Sequence, residues 1–432
     1  MLRSLISILV SLMVTSICAA QSRQVPAPPQ DALIVIQGAT IHTMVGEPIT
    51  DGYVTINDGR ITGVGSGSAP NGRGMLLIDG EGLHVYPGLV SVGTMLGLIE
   101  TSATDVTHDH DEVGNMTPVV RAAIAVNPDS DHLPVTRETG ILTAVIFPTG
   151  GRVPGRASAI RLDGWTVEDL TILDDAGLVV NWPRYVSRPS RGGPFDSTAR
   201  EENTSIDELD DLIEQARAWS AAYETGEVDH DLALEAMQSV LDGSRPVFLL
   251  AQTRQQITSA VAWAKRHELS PIIVGGSAAM LCAELLVQED VPVVCSGVMD
   301  MPKRRDLPYD DQYTLPKRLL DAGIRFCLGT GDSGAHERRL PFHAGKAVAY
   351  GLTTEQAIAA ITRDAAEICG LGDELGTIEV GKAGTLILTN GSPLDIRSRV
   401  VRAWIDGREI TLENRHSDLN AKYREKYRQL GR

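Results

Sequence analysis

One short segment of the sequence concentrates the residue types that bind metal ions, Thr107-His108-Asp109-His110-Asp111-Glu112. Alternate side chains of an extended backbone point to the same side, so His108 and His110 could share an ion. Catalytic zinc takes imidazole and carboxylate ligands. The same composition is typical of a solvated polar loop. We favour the loop, and keep a zinc site at His108 and His110 as the alternative.

Motifs for other chemistry are missing from the sequence. It contains no His-Glu-x-x-His, no Gly-x-Ser-x-Gly and no glycine-rich phosphate loop with its lysine. The run at residues 150–155 is rich in glycine but has no lysine, and it is interpreted as a turn. Any chemistry must therefore come from residues that the fold brings together.

The middle of the chain, from about Tyr86 to Leu371, alternates short apolar strands with helical patterns. Strands are predicted at residues 85–90, 142–147, 158–162, 178–182, 247–251, 272–274, 291–295 and 324–328. Helices are predicted at 206–223, 232–241, 257–266, 278–286, 315–322 and 355–369. This alternation predicts a parallel sheet with helices outside it, and eight repeats predict an α/β fold of the (β/α)₈ barrel type.

Both ends of this middle region are rich in β-forming residues. Runs at 33–36, 52–56 and 60–64 precede it, and runs at 376–378, 384–388 and 400–407 follow it. Between the second and third runs, Asn57-Asp58-Gly59 supplies residues that tolerate the positive φ of a hairpin turn. The two ends are therefore predicted to pair into one small composite β-sandwich.

Two segments resemble the amidohydrolase superfamily, the metal-dependent hydrolases of C–N bonds. The first runs from Pro87 to Met95, where the family has Pro-Gly-Leu-Ile-Asp-x-His-x-His on its first barrel strand. The second is a closing segment, Leu-Gly-Thr-Ile-Glu-Val-Gly-Lys-Ala-Gly, at residues 375–384. Within the superfamily the chain is most similar to exported imidazolonepropionase-like members. The resemblance spans residues 32–407 and implies the same barrel and composite domain.

The resemblance also implies metal ligands at strand ends, and this chain lacks them. Gly93 and Met95 stand where two histidines are expected on strand one, Leu250 on strand five and Gly275 on strand six. Glycine has no ligand atom, and a thioether suits copper(I) better than zinc. We therefore expect no cofactor, with zinc bound only if the alternative site at the two histidines exists.

The strand-eight segment keeps one residue of the implied site, Asp332, as the catalytic candidate. Arg161 replaces a metal-bridging lysine, and a guanidinium offers no lone pair to a metal. Reactive groups of a barrel gather at the carboxyl ends of its strands. We expect a polar pocket there, with Arg161 paired to Asp332. The pocket candidates are Glu100, Arg161, Asp163, Trp165, Arg254 and Asp332.

The start of the chain predicts export. Arg3, an apolar core and a small-residue cleavage site at Cys18-Ala19-Ala20 describe a secretory signal at residues 1–20, which implies a periplasmic or extracellular protein. The predicted order is then a linker at 21–31, the composite β domain at 32–85 plus 374–412, the barrel at 86–373 and a polar tail at 413–432. No later stretch is apolar enough to cross a membrane.

Four cysteines follow the predicted signal: Cys282, Cys295, Cys327 and Cys369. They are predicted to be buried thiols, with disulfides as the alternative.

The charge balance limits the partners. The chain has 39 basic and 56 acidic residues and a net charge of −17, which argues against nucleic acid because phosphate binding needs lysine and arginine. A small-molecule ligand and a homo- or hetero-oligomer with a related barrel are expected.

Two functions remain open. The first is a hydrolase of non-peptide C–N bonds, such as cyclic amides, that is weakly active or inactive because its metal site is degenerate. The second is a non-catalytic binding or partner subunit of a related active amidohydrolase.

Overall fold

The structure is a computed structural model that describes residues 24–69, 74–184 and 197–431, with side chains from Ile206 onward in the long helix Ser197–Glu224. The predicted signal at residues 1–20 lies outside the described residues, so export stays a prediction. Among the residues that the structure describes, no helix is long and apolar enough to cross a membrane.

Sixteen strands are seen in the described residues and form two sheets. In chain order they are β1 (Ile34–Ile41), β2 (Ile49–Asn57), β3 (Arg60–Ser66), β4 (Leu76–Asp79), β5 (His84–Pro87), β6 (Leu89–Thr94), β7 (Ile141–Ile146), β8 (Gly155–Arg161), β9 (Thr171–Asn181), β10 (Val247–Ala251), β11 (Pro271–Gly275), β12 (Val293–Ser296), β13 (Phe326–Gly329), β14 (Leu386–Thr389), β15 (Val400–Ile405) and β16 (Arg408–Ile410). One sheet uses strands from both ends of the chain, and the other uses the middle.

The first sheet has the order β16-β15-β14-β5-β1-β2-β3, with β4 paired to β1. The antiparallel pairing of β14 with β5 joins the two ends of the chain, in agreement with the prediction of a composite domain. The β2–β3 hairpin turns at Asp58 and Gly59, whose φ angles are 50° and 77°, and this confirms the turn predicted there. Trp404 in β15 is fully buried in the apolar core of this sheet.

The second sheet contains β6 to β13 in sequence order and is a nearly closed barrel. Its two end strands lie against each other: a Cβ added to Gly329 in β13 would be 2.7 Å from the carbonyl oxygen of Val92 in β6. The barrel prediction is confirmed, with one difference from eight parallel repeats. Strand β8 runs antiparallel to both β7 and β9. Its carboxyl end therefore points to the opposite end of the barrel from the other strand ends.

The strand predicted at residues 85–90 is two strands in different sheets. It breaks at Gly88, between β5 in the first sheet and β6 in the barrel. A Cβ on Gly88 would lie 2.9 Å from Leu142 Cδ1 and from Thr385 Cγ2, so a larger residue would not fit where the chain crosses between the sheets.

Helices connect most of the barrel strands and cover the barrel. Their bounds are His132–Arg137, Val167–Leu170, Ser197–Glu224, Leu232–Glu235, Gln238–Leu241, Arg254–Arg266, Ala283–Gln288, Asp311–Asp321, Leu340–Ala349, Thr354–Ala359, Arg363–Ile368 and Arg415–Gln429. The helices predicted at 232–241 and 355–369 are each two shorter ones, and at the second break Thr362 leaves helical geometry with φ −135° and ψ −92°. The last helix, Arg415–Gln429, is exposed along its length, as predicted for the tail.

The barrel interior is apolar. Phe147, which follows β7, and Phe248 in β10 pack with ring centroids 4.8 Å apart, among valines and alanines of the other strands. The four described cysteines are buried and unpaired, which confirms the buried-thiol prediction. Burial raises the pKa of the Cys295 and Cys369 thiols to about 12, so both are protonated at neutral pH and behave as small apolar side chains.

Candidate functional site

The positions where the resemblance implies metal ligands carry no ligand side chains, and other side chains occupy the space around them. Gly275, at the end of β11, has φ 96°, and a Cβ there would lie 1.9 Å from Nε2 of Gln252. Gly93, near the end of β6, has φ 77°, and its Cβ position faces the Phe147 ring at 3.6 Å. Leu250 packs against the apolar barrel interior, and Met95 packs against the surrounding core.

The histidines at residues 108 and 110 lie in the loop after β6. Their ring centroids are 5.6 Å apart. His110 Nδ1 is 2.6 Å from the hydroxyl of Thr149, and His108 Nε2 is 3.3 Å from the carbonyl oxygen of Thr101. No group of three or more His, Cys, Asp or Glu side chains that could hold a metal ion is found among the described residues. Catalytic zinc needs about three protein ligands, so the described residues do not fit such a site.

The predicted pairing of Arg161 with Asp332 is wrong. Arg161 Nε lies 3.0 Å from Asp406 Oδ2, and its Nη1 donates to the carbonyl oxygen of Asp169 at 2.9 Å. The reason is the direction of β8: Arg161 ends an antiparallel strand and so lies at the end of the barrel that faces the first sheet. Arg161 does not belong to a pocket at the carboxyl ends of the strands.

Asp163, another predicted pocket residue, lies in a buried ion-pair cluster. Its side chain is 1% exposed. Arg137 Nη1 lies 2.6 Å from Oδ1, Arg408 Nη1 lies 3.2 Å from Oδ2, and the backbone N–H of Ala27 donates to Oδ2 at 3.0 Å. The carboxylate thus ties the barrel to strand β16 of the first sheet and to the segment before β1. Its role here is structural.

The remaining pocket candidates are not brought together. Trp165 is 64% exposed, and Arg254 is exposed at the start of its helix. Glu100 keeps a buried Oε1 without a hydrogen-bond partner, while its backbone carbonyl accepts from His132 Nε2 at 3.0 Å. Neither Glu100 nor Arg254 has a hydrogen bond or ion pair to Asp332 in the described structure.

Asp332 instead belongs to a small cluster that follows β13. Its Oδ2 lies 3.4 Å from Arg339 Nη1 and 3.7 Å from His343 Nε2. His343 is 2% exposed, and neither ring nitrogen has a hydrogen-bond partner. Burial lowers the pKa of His343, although the charges of Asp332 and Asp300 oppose that shift. At neutral pH the ring is therefore uncharged beside a carboxylate.

A second buried carboxyl, Glu337, lies close to this cluster and was not predicted from the sequence. It is fully buried, and it accepts hydrogen bonds from Ser91 Oγ and from Thr330 Oγ1, the latter at 3.0 Å to Oε2. Burial raises the pKa of Glu337. The hydrogen bonds from these hydroxyls act to lower it, and the charge of the nearby Asp332 acts to raise it. Ser91 is in β6 and Thr330 follows β13, so Glu337 links the two strands at the seam of the barrel.

The sequence signal for Glu337 was Ser91. Ser91 is a buried hydroxyl residue between the apolar, buried neighbours Val90 and Val92 in the centre of β6, and a buried hydroxyl needs a partner. The partner lies in the 3₁₀ turn Gly334–Arg339, which has no periodic pattern that would place it against β6.

Comparison with known proteins agrees with this architecture. Residues 270–412 match the model of the amidohydrolase family. Over 361 residues the chain is 22% identical to the amidohydrolase tasK of Hapsidospora irregularis, a match that covers 77% of this chain and 37% of that protein. The chain therefore spans little more than a third of the length of that curated relative.

Solved structures share the fold at low identity. An amidohydrolase from Thermotoga maritima MSB8 aligns with a TM-score of 0.78 at 23% identity, covering 88% of this chain and 99% of that one. A molinate hydrolase aligns at 0.54 with 17% identity, covering 89% and 95%. A Xaa-Pro dipeptidase with bound methionine aligns at 0.55 with 14% identity, covering 88% and 99%. At these identities the likeness concerns the fold.

Proposed function

We propose that this chain, a member of the amidohydrolase superfamily, has lost metal-dependent hydrolysis and acts as a non-catalytic binding or partner subunit. The observation that carries this proposal is the end of β11. Gly275 has φ 96°, a backbone conformation that a histidine rarely adopts, and the side chain of Gln252 occupies the place of a Cβ, which would lie 1.9 Å from its amide nitrogen. The ligand position is therefore remodelled as well as substituted.

The chemistry of the nucleophile supports the same conclusion. Free water has a pKa of about 15.7, and a catalytic metal lowers it to about 7. Without such an ion, a general base contributes about 10²–10⁴-fold, whereas enzymes accelerate reactions by roughly 10⁶-fold or more. The activation would come from a metal ion held by hard ligands. The residues at the four expected ligand positions offer none, since they are Gly93, Met95, Leu250 and Gly275.

The metal content of the purified protein tests the donor-set argument. We expect far less than one equivalent of zinc, manganese or iron by elemental analysis, because the described residues supply too few ligands. Stoichiometric metal that survives mild chelation would contradict the proposal. The double variant His108→Ala, His110→Ala would then show whether the loop after β6 holds the ion.

Turnover tests the loss of hydrolysis. Lactams, hydantoins, imidazolones and dipeptides should be hydrolysed at the rate of a blank, with or without added zinc or manganese. Metal-stimulated turnover that Asp332→Asn removes would instead support a metal-dependent hydrolase.

Co-expression with a catalytically complete relative from the same organism tests the partner role, because a specific complex should show a defined stoichiometry by native mass spectrometry.

Weak metal-independent hydrolysis is the second candidate function. It is favoured by the contact of the uncharged, buried His343 with Asp332, since a neutral imidazole beside a carboxylate can act as a general base. This candidate requires turnover that is insensitive to chelators and that His343→Gln abolishes.

A further inference from the structure

A cavity of about 720 Å³ opens outside the barrel, between helix Leu340–Ala349 and the segment at residues 393–400. Its walls come from the ends of covering helices, the loop after β12 and the segment that leads into β15, not from the barrel strands. Pockets for small molecules are commonly about 300–1,000 Å³. The cavity is thus large enough for a ligand, and it is separate from the altered metal-ligand positions.

The acidic residues of this cavity are already engaged within the protein. Asp395 pairs with Arg397, whose Nη2 lies 2.6 Å from Oδ2. Glu138 Oε2 accepts from the side-chain amide of Asn414 at 2.7 Å. Asp395 is therefore paired with a charge of the opposite sign, whereas the partner of Glu138 is an uncharged amide.

The three arginines that line the cavity are less well neutralised. Arg399 has no side-chain hydrogen bond or ion pair in the described structure, and its side chain is exposed. Arg338 Nη1 lies 3.0 Å from Nδ1 of His416, and an imidazole ring brings no negative charge to this contact. Arg339 has the 3.4 Å contact with Asp332 as its ion pair. The cavity is therefore locally basic in a chain whose net charge is −17.

The rest of the wall is apolar and partly open to solvent. Ile396 is 80% exposed and Met299 is 43% exposed, and Phe342 and Leu412 complete this side. Covering exposed apolar surface is favourable by about 25 cal/mol per Å². An occupant with an apolar part would bury this side while its charged end meets the arginines.

We propose that this cavity binds a small oxyanion, a carboxylate or a phosphate, that carries an apolar tail. Guanidinium groups match the geometry of both oxyanions and form charge-assisted hydrogen bonds with them. The apolar wall selects for the tail. This site goes beyond the proposed loss of hydrolysis and stands whatever the metal content of the barrel.

Isothermal titration calorimetry of the full protein tests the proposal, with octanoate and octyl phosphate kept below their micelle concentrations. At least one should bind saturably with one site per chain, and which of them binds identifies the head group. Acetate and inorganic phosphate test the charge without the tail, and octyl glucoside tests the tail without the charge. These three probes should bind far more weakly.

The variant Arg399→Glu should weaken binding by at least about tenfold, the size expected when a charged hydrogen bond is lost. Arg424→Glu makes the same change on the exposed helix Arg415–Gln429, at a residue that does not line the cavity, and should leave binding unchanged. Ile396→Ser should weaken the tailed anion and not its short analogue. Failure of both tailed anions to bind, equal binding of octyl glucoside, or indifference to Arg399→Glu would each overturn the proposal.

Discussion

Replacing Asp163 with alanine is expected to lower the free energy of unfolding by about 3–5 kcal/mol, the cost of breaking a buried ion pair from one side. The variant leaves Arg137, whose side chain is 4% exposed, without its carboxylate partner. It also removes the contacts to Arg408 and to the backbone of Ala27. Burial already lowers the pKa of Arg137, and the Asp163 charge opposes that shift. Urea unfolding followed by tryptophan fluorescence measures the change.

The matched control is Asp174→Ala. Asp174 also pairs with an arginine, Arg121, but both side chains are about 40% exposed, at 43% and 39%. Exposed ion pairs contribute about 0–1 kcal/mol. If Asp163→Ala costs no more than Asp174→Ala, the buried cluster does not join the barrel to the first sheet in the way described above.

The alternation of apolar runs and helical patterns was sufficient to predict the barrel, because each buried parallel strand leaves a short apolar run. It did not reveal the direction of β8. The relevant signal was the spacing: β7 ends at Ile146 and β8 begins at Gly155. A parallel crossover needs about a dozen or more residues, so this connection only allows an antiparallel return. The misplacement of Arg161 and Asp163 follows from that one error.

The candidate site was predicted less well, because its residues meet only through the tertiary fold. The sequence shows that glycine stands at positions 93 and 275. It does not show that Gln252 fills the space beside Gly275, since the contact depends on how the loop after β10 turns back. Asp332 was identified from its strand, whereas His343 comes from the following helix and Glu337 from a turn without a periodic pattern.

Glu337 is expected to make the protein less stable as the pH rises above the ordinary range of a carboxyl group. Burial raises the pKa of Glu337 in the folded state. Above the ordinary range of a carboxyl group, the folded state therefore still holds a proton that the unfolded state has lost. Stability then falls with rising pH until the raised pKa is passed. The loss is about 1.4 kcal/mol for each unit by which the pKa is raised. Thermal unfolding measured at a series of pH values follows this change.

The variant Glu337→Gln isolates this effect, because glutamine resembles the protonated carboxyl and keeps an acceptor for the Ser91 and Thr330 hydroxyls. It should flatten the pH dependence and be at least as stable as the natural protein at pH 8. Glu374→Gln is the control: Glu374 is 51% exposed beside Arg60, so its pH profile should follow the natural one. A Glu337→Gln profile that still falls with pH would assign the titration to another group. A large loss of stability at every pH would instead show that the seam between β6 and β13 requires the ionised carboxylate.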